Sequence, residues 1–190
     1  MMDVIQGIKT RRSVVKVKQD PIEREKVEAL LELATHAPNH HLTEPWRFFV
    51  MEGEARKILS DAYQAVAIDN VGEDLTEETK ELIAKTQVNK ATRAPVVIAV
   101  VVSFRGQDDT ERKEDRAATH AAIENMLLGA HAMGLGAIWR SGAPMYHPKM
   151  KEAFKLSDNE EMVGLVYLGY PDIIPVPKNR KPVSEVTTWL

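Results

Sequence analysis

The chain of 190 residues fits one domain and could just support two, and at that length folding buries roughly 70% of the extended surface, so a core needs no staples. Apolar residues make up 44% and charged residues 28%, and 25 Lys+Arg against 28 Asp+Glu leave a net charge of -3. That balance argues against a broad nucleic-acid surface, which needs clustered excess cations. The lack of any cysteine excludes disulfides, thiolate nucleophiles, iron–sulfur clusters and cysteine-based zinc sites.

The N-terminal MMDVIQGIKTRRS lacks the apolar stretch of a signal peptide, and no run approaches the ~18 apolar residues of a membrane span. A cytoplasmic protein with no membrane and no nucleic-acid partner is expected. Residues 2–11 can form a short helix with Val4, Ile5 and Ile8 on one side. The next helix carries stronger marks: Asp20 as N-cap, Pro21 at the first helical position and Glu23 completing a capping box. Val27, Leu30, Leu31 and Ala34 then repeat at helical spacing, and Pro38 ends the helix. A polar loop runs to Pro45, and 47–52 reads as a strand around Phe48, Phe49 and Val50.

Residues 54–69 and 76–91 both have helical character, joined by a charged, Gly-containing connection at 70–74. The pair reads equally as a mobile lid or as a plain helical hairpin. Pro95 opens an unbroken apolar run, Val96 to Val102, which predicts a strand buried on both faces. The charged stretch 106–116 leads into a helix from about Asp115 to Met133. It is apolar nearly all round, which predicts a central position, and Gly134 suits its left-handed cap. A short strand at 136–139, a short helix at 148–154 and a buried strand at 162–168 follow. After Pro171 the tail is rich in proline, so it runs extended and should pack on something, a partner subunit being a candidate. Helices dominate and do not alternate one-for-one with strands, which predicts an α+β domain wrapped by helices.

Three clusters could carry chemistry. Arg11-Arg12-Ser13 offers two forked cations and a hydroxyl to a phosphate or carbonyl-rich ring; basic residues closing a helix against its dipole are the plainer reading. In the loop 36–46, His36, His40, His41 and Glu44 raise the question of a metal. Pro38, however, breaks the helix that would align 36 with 40, and no HExxH pattern is present. Surface histidines on a loop stiffened by two prolines are the alternative, a setting suited to presenting side chains to a ligand. Gly134-Leu135-Gly136 through Gly142 fails the GxGxxG fingerprint, since its helix precedes the strand. What remains is a strand ending in Trp139-Arg140-Ser141-Gly142, where the tryptophan is either core or a plate beside a cation. Neither a P-loop nor a GxSxG serine is present. Cations without a nucleophile or metal set point to an organic cofactor that brings its own reactivity.

Taken in order, these pieces resemble the nitroreductase family over nearly the whole chain. The pattern is a helix ending in Arg11-Arg12-Ser13, a second helix, and a loop from Ala37-Pro38 to Pro45-Trp46. A strand opened by Ala94-Pro95 comes next, then a long apolar helix closing in Gly134-Leu135-Gly136, and a strand ending in Leu168-Gly169-Tyr170-Pro171. The Trp139-Arg140-Ser141-Gly142 version resembles a compact, short-chain branch. The resemblance implies a single domain over 1–190 with a mostly antiparallel sheet wrapped by helices. Its tail, 171–190, would be exchanged between protomers of a homodimer. It implies FMN contacts from Arg11, Arg12, Ser13, Trp139, Arg140 and Ser141 of one subunit and from His36 and His40 of the other. Lys178 and Arg180, in a K-x-R-x-P segment, would hold the flavin phosphate, and 129–134 would line the nicotinamide side.

The implied activity is hydride transfer from NAD(P)H through FMN to an electron-poor acceptor such as a nitroaromatic or quinone, with no catalytic side chain required. Val15 stands where the family often carries Arg or Lys, which should lower the flavin potential. Leu42 and Glu44 replace a frequent Asn and Gln. The rival readings are a family relative using FMN for dehalogenation, flavin destruction or cyclic-dipeptide desaturation, a flavin carrier or sensor without turnover, and an FMN-free helical interaction domain.

Overall fold

The computed structural model describes residues 2–72, 75–177 and 179–190. Its helices are α1 (Val4–Thr10), α2 (Arg24–Thr35), α3 (Arg56–Val71), α4 (Glu77–Ala91), α5 (Asp109–Ala132) and α6 (Pro148–Ala153), and its strands are β1 (Trp46–Glu52), β2 (Val96–Ser103), β3 (Gly136–Arg140) and β4 (Glu160–Gly169). The strands form one sheet in the order β1-β2-β4-β3, antiparallel at every pairing.

The alternation of β2 divides the core in two. Val96, Ile98, Val100 and Val102 pack with Leu30 of α2 and with Ile123 and Met126 of α5. Val97, Ala99 and Val101 face the other way, onto Leu59 and Val66 of α3 and Met150 of α6. Every residue of β2 is buried, as a strand without polar alternation requires. Each fully buried Val contributes roughly 1.5–3 kcal/mol relative to exposure, so this strand is the axis of the fold. Pairing shifts between Val100, opposite Gly164, and Val101, opposite Met162, which leaves Val163 as a bulge in β4.

Two helix starts differ from the sequence expectation. Asp20 and Pro21 do not open α2; Glu23 occupies the N-cap and makes no side-chain cap bond. The reason is tertiary. Ile22 is drawn into the core, and the Glu23 carboxylate accepts from the Tyr170 hydroxyl at 2.6 Å and pairs with Lys26 at 3.0 Å. The Tyr170 bond chiefly, aided by a backbone bond and Lys26, holds the Glu23 carboxyl down to about 2. The tyrosine of the Leu-Gly-Tyr-Pro motif therefore anchors the first turn of α2. Helix α5 starts six residues earlier than expected, at Asp109, because the Asp108 side chain accepts from the amides of Thr110 and Glu111. It is also not buried all round: Ala117, His120 and Glu124 are exposed.

The connection at 70–74 lies partly outside the described residues. The last tail residues, Trp189 and Leu190, are 92% and 119% exposed on this chain. No helix among the described residues is long and apolar enough to cross a membrane.

Candidate functional site

Gly134 turns the chain out of α5 and into β3. Its φ of 77° is left-handed, and the amides of Gly134 and Leu135 close onto the carbonyls of His131 and Ala130 at 3.1 and 2.8 Å. Gly136 then lies against Val14, where a β-carbon would overlap the valine side chain. This close approach lets Ser13 bridge Ala137 and lets the Val14 amide donate to the Ala137 carbonyl at 2.9 Å. The Arg11-Arg12-Ser13 segment is thereby laid against the start of β3.

The two arginines behave differently. Arg11 Nε pairs with Glu124 of α5 at 3.2 Å. Arg12 donates from Nη1 to the carbonyls of Lys9 and Arg11, while its Nε is buried with no acceptor among the described residues. Thr10 Oγ1 sits 2.8 Å from His131 Nε2 in the last turn of α5. Burial, together with the charges of Arg11 and Arg12, pushes the His131 imidazole below its ordinary value.

Further along β3, strand alternation sends Trp139 and Arg140 to opposite faces. Trp139, opposite Val166, lies on the α5 side with its ring centroid 5.4 Å from that of His120. Arg140, opposite Leu165, faces the side that holds Tyr63 and Tyr167, whose hydroxyls are 3.4 Å apart. Burial raises both of those phenols. Arg140 Nε is the second buried guanidinium nitrogen with no acceptor among the described residues. An unpartnered buried polar group is costly, and Arg12 and Arg140 each carry one, on segments joined by the Ser13–Ala137 bridge. Ser141 is exposed, and Gly142 follows with φ 111°.

The model of the Nitroreductase family matches residues 8–170. The chain belongs to the Nitroreductase family. A Bacillus subtilis (strain 168) relative named "Putative NAD(P)H nitroreductase YfhC" is 37% identical over 181 residues, covering 94% of this chain and 89% of its own. The crystal structure of the nitroreductase-like family protein from Bacillus cereus superposes with a TM-score of 0.87 at 33% identity, over 100% of this chain and 97% of that one. A Desulfovibrio desulfuricans protein solved in complex with FMN shares the fold, with a TM-score of 0.75 at 24% identity over 100% and 98% of the two chains.

The other residues expected to serve a nitroreductase-type site lie apart from this cluster. His36 closes α2 and borders a groove of about 350 Å³ with Gly7, Leu33, Leu128 and Gly129. His40 borders a second groove, of about 410 Å³, with Ala117 and Ala121 of α5. Both histidines are exposed. Arg180 is exposed on the tail, and among the described residues no carboxylate pairs with it; Lys178 lies outside the described residues. Val15 is 50% exposed.

The loop that carries His40 is built against the grain. His41, Leu42 and Glu44 all have positive φ, at 53°, 53° and 43°, a conformation that costs of order 1–3 kcal/mol for each such residue. Asn39 bridges it, donating to the Ala37 carbonyl at 3.2 Å and accepting from the Glu44 amide at 3.0 Å. Thr43 Oγ1 donates to Asp115 Oδ1 at 2.7 Å, while Asp115 Oδ2 accepts from the amides of Arg105 and Gly106 at 2.7 and 2.9 Å. Asp115 is only 2% exposed. Burial acts to raise its carboxyl, but the bonds from Thr43, Gly106 and Arg105 together outweigh it and hold the group below its ordinary value. In the sequence Asp115 stands only as the expected start of an apolar helix, and its one local signal is a carboxylate at the head of that run.

Proposed function

We propose that the chain is an FMN-dependent oxidoreductase that takes hydride from NAD(P)H and delivers it to an electron-poor acceptor such as a nitroaromatic or quinone. It would act as a cytoplasmic homodimer. The observation that carries this reading is the pair of buried guanidinium nitrogens of Arg12 and Arg140, without a partner among the described residues, in a chain of the Nitroreductase family. Guanidinium forks and hydroxyls suit the carbonyl and ring-nitrogen edge of a flavin and its phosphate, so this donor set fits FMN. The FMN complex of the Desulfovibrio relative supports the choice.

Arg12, Ser13, Arg140 and Ser141 would donate hydrogen bonds to the cofactor, with Arg11 held alongside by Glu124. Trp139 would supply an apolar wall that excludes water, its indole kept in place by contact with His120. His36 and His40, exposed beside α5, would reach the flavin of the partner subunit. Lys178 and Arg180 would bring two cations to the phosphate from the exchanged tail, 171–190, which completes the single domain of residues 1–190. Exposed Val4, Ile5 and Ile8 of α1 and Trp189 of the tail are apolar surface that such an exchange would cover. When bound, FMN would supply the redox chemistry, hydride acceptance and electron delivery, that no side chain here offers. The chain contributes position and charge, and no side chain is needed as acid or base.

A flavin carrier or sensor is the second reading, favoured by Val15, which leaves a position open to solvent without the cation that would stabilise a reduced, anionic ring. Steady-state oxidation of NAD(P)H against a panel of nitroaromatics and quinones separates the two. The enzyme reading predicts turnover with parallel double-reciprocal lines, because both substrates use one site in turn. Absence of turnover with every acceptor by a flavin-loaded protein would favour the carrier.

A further inference from the structure

We propose that Asp115 is a positioning residue for the cofactor site, acting through Thr43 to fix the loop that presents His40. The inference rests on the functional reading above, in which His40 reaches the flavin bound by the partner subunit.

A buried carboxylate is retained only where hydrogen bonds compensate its lost hydration. Asp115 divides its oxygens between two segments. Oδ2 takes both backbone amides of the turn before α5, from Arg105 and Gly106. That turn is already seated by Gly106, where a β-carbon would overlap the backbone of Glu111 and Arg112. One oxygen therefore suffices for the turn. Among the described residues Oδ1 is given to Thr43 alone, and Thr43 is the right-handed residue set among three left-handed neighbours, His41, Leu42 and Glu44. Strained residues keep their conformation only when their surroundings over-determine it. Here the ends of the loop are tied by Asn39 and by the Ser103 amide on the Pro45 carbonyl at 2.6 Å. Its middle is tied to α5 by the Thr43–Asp115 bond. Releasing that bond lets the left-handed residues relax toward ordinary backbone and moves the ring of His40, which rests against His41 at a centroid distance of 4.0 Å.

The test uses the full-length protein titrated with FMN. Thr43→Val keeps the shape of the side chain and removes the donor; Thr43→Ser keeps the donor. The latch predicts that T43V binds FMN about tenfold or more weakly and alters the visible circular dichroism of the bound flavin. Hydrogen exchange at residues 40–44 should rise in the same variant. T43S should restore all three readouts toward wild type. Asp115→Ala should reproduce the T43V losses, and T43V carries the test should D115A fail to fold. A T43V protein with wild-type FMN affinity and flavin circular dichroism would overturn the latch. A wild-type chain that takes up no FMN would instead overturn the functional reading on which it rests, so the two failures are distinct.

Discussion

Gly164 lies under the indole of Trp139, diagonal to the Trp139–Val166 pair: a β-carbon at position 164 would overlap the indole Nε1 and crowd the Arg140 carbonyl. The bare glycine leaves room for the indole against β4, one residue beyond the Val163 bulge. Gly164→Ala should therefore lift Trp139 off the sheet and disturb the adjacent Arg140. The expected cost is that of overpacking, about 1–3 kcal/mol, read as a lowered midpoint in urea. Tryptophan fluorescence should shift, and FMN should bind more weakly. An alanine variant with unchanged fluorescence and FMN affinity would show that the indole can move without consequence.

Arg12 and Arg140 are expected to hold the cofactor by the nitrogens that have no acceptor among the described residues. Arg140→Met preserves much of the side-chain volume, and it removes a buried donor left unsatisfied in the free chain. FMN affinity should fall ten- to a hundredfold, about 1.4–2.8 kcal/mol, while stability without FMN should hold or rise. Isothermal titration and denaturant melts of the cofactor-free protein measure the two separately. Loss of stability with unchanged FMN binding would make Arg140 a structural residue.

Acid should weaken the fold through Asp115 and Glu160. Burial works to raise both carboxyls, but hydrogen bonds outweigh it: from Thr43, Gly106 and Arg105 on Asp115, and from Ser157 and Arg47 on Glu160. Both folded values lie below the unfolded ones, so as pH falls the unfolded chain takes up these protons first. Their stabilisation is fully present above the unfolded carboxyl range near ~4 and is lost as pH drops through the lower folded values. Denaturant midpoints from pH 7 to 3 should thus fall most steeply below about pH 4. Asp115→Asn should flatten that fall; a variant as acid-sensitive as wild type would contradict the assignment.

Much of the fold was legible because its signals are local. The apolar run 96–102 could only be a strand buried on both faces, and Gly134 carries the positive φ that its position after an apolar helix implied. What sequence did not disclose depends on partners distant in the chain. Glu23 fits a capping box by spacing, yet its carboxylate belongs to Tyr170, 147 positions away. Asp115 reads as a helix start because nothing local reveals that Thr43, 72 positions earlier, and the 105–106 turn converge on it. In the candidate site, residue types and order pointed to Arg11–Ser13 and to 139–141. Their junction through the Ser13–Ala137 bridge, and the separation of Trp139 and Arg140 onto opposite faces, came only with the sheet.

Truncation after Pro171 addresses the tail. It removes Arg180 and the exposed apolar residues through Leu190, so an exchanged tail predicts loss of both dimer and FMN, seen by light scattering and by cofactor retention on gel filtration. A truncated monomer still loaded with flavin would remove Lys178 and Arg180 from the phosphate site.

The most direct measurement of the central claim is the visible spectrum of the purified protein, before and after anaerobic addition of NADH or NADPH. The account predicts flavin bands near ~450 nm that bleach with reductant and return when a quinone or nitroaromatic is added. A protein without such bands, even after incubation with FMN, would contradict it.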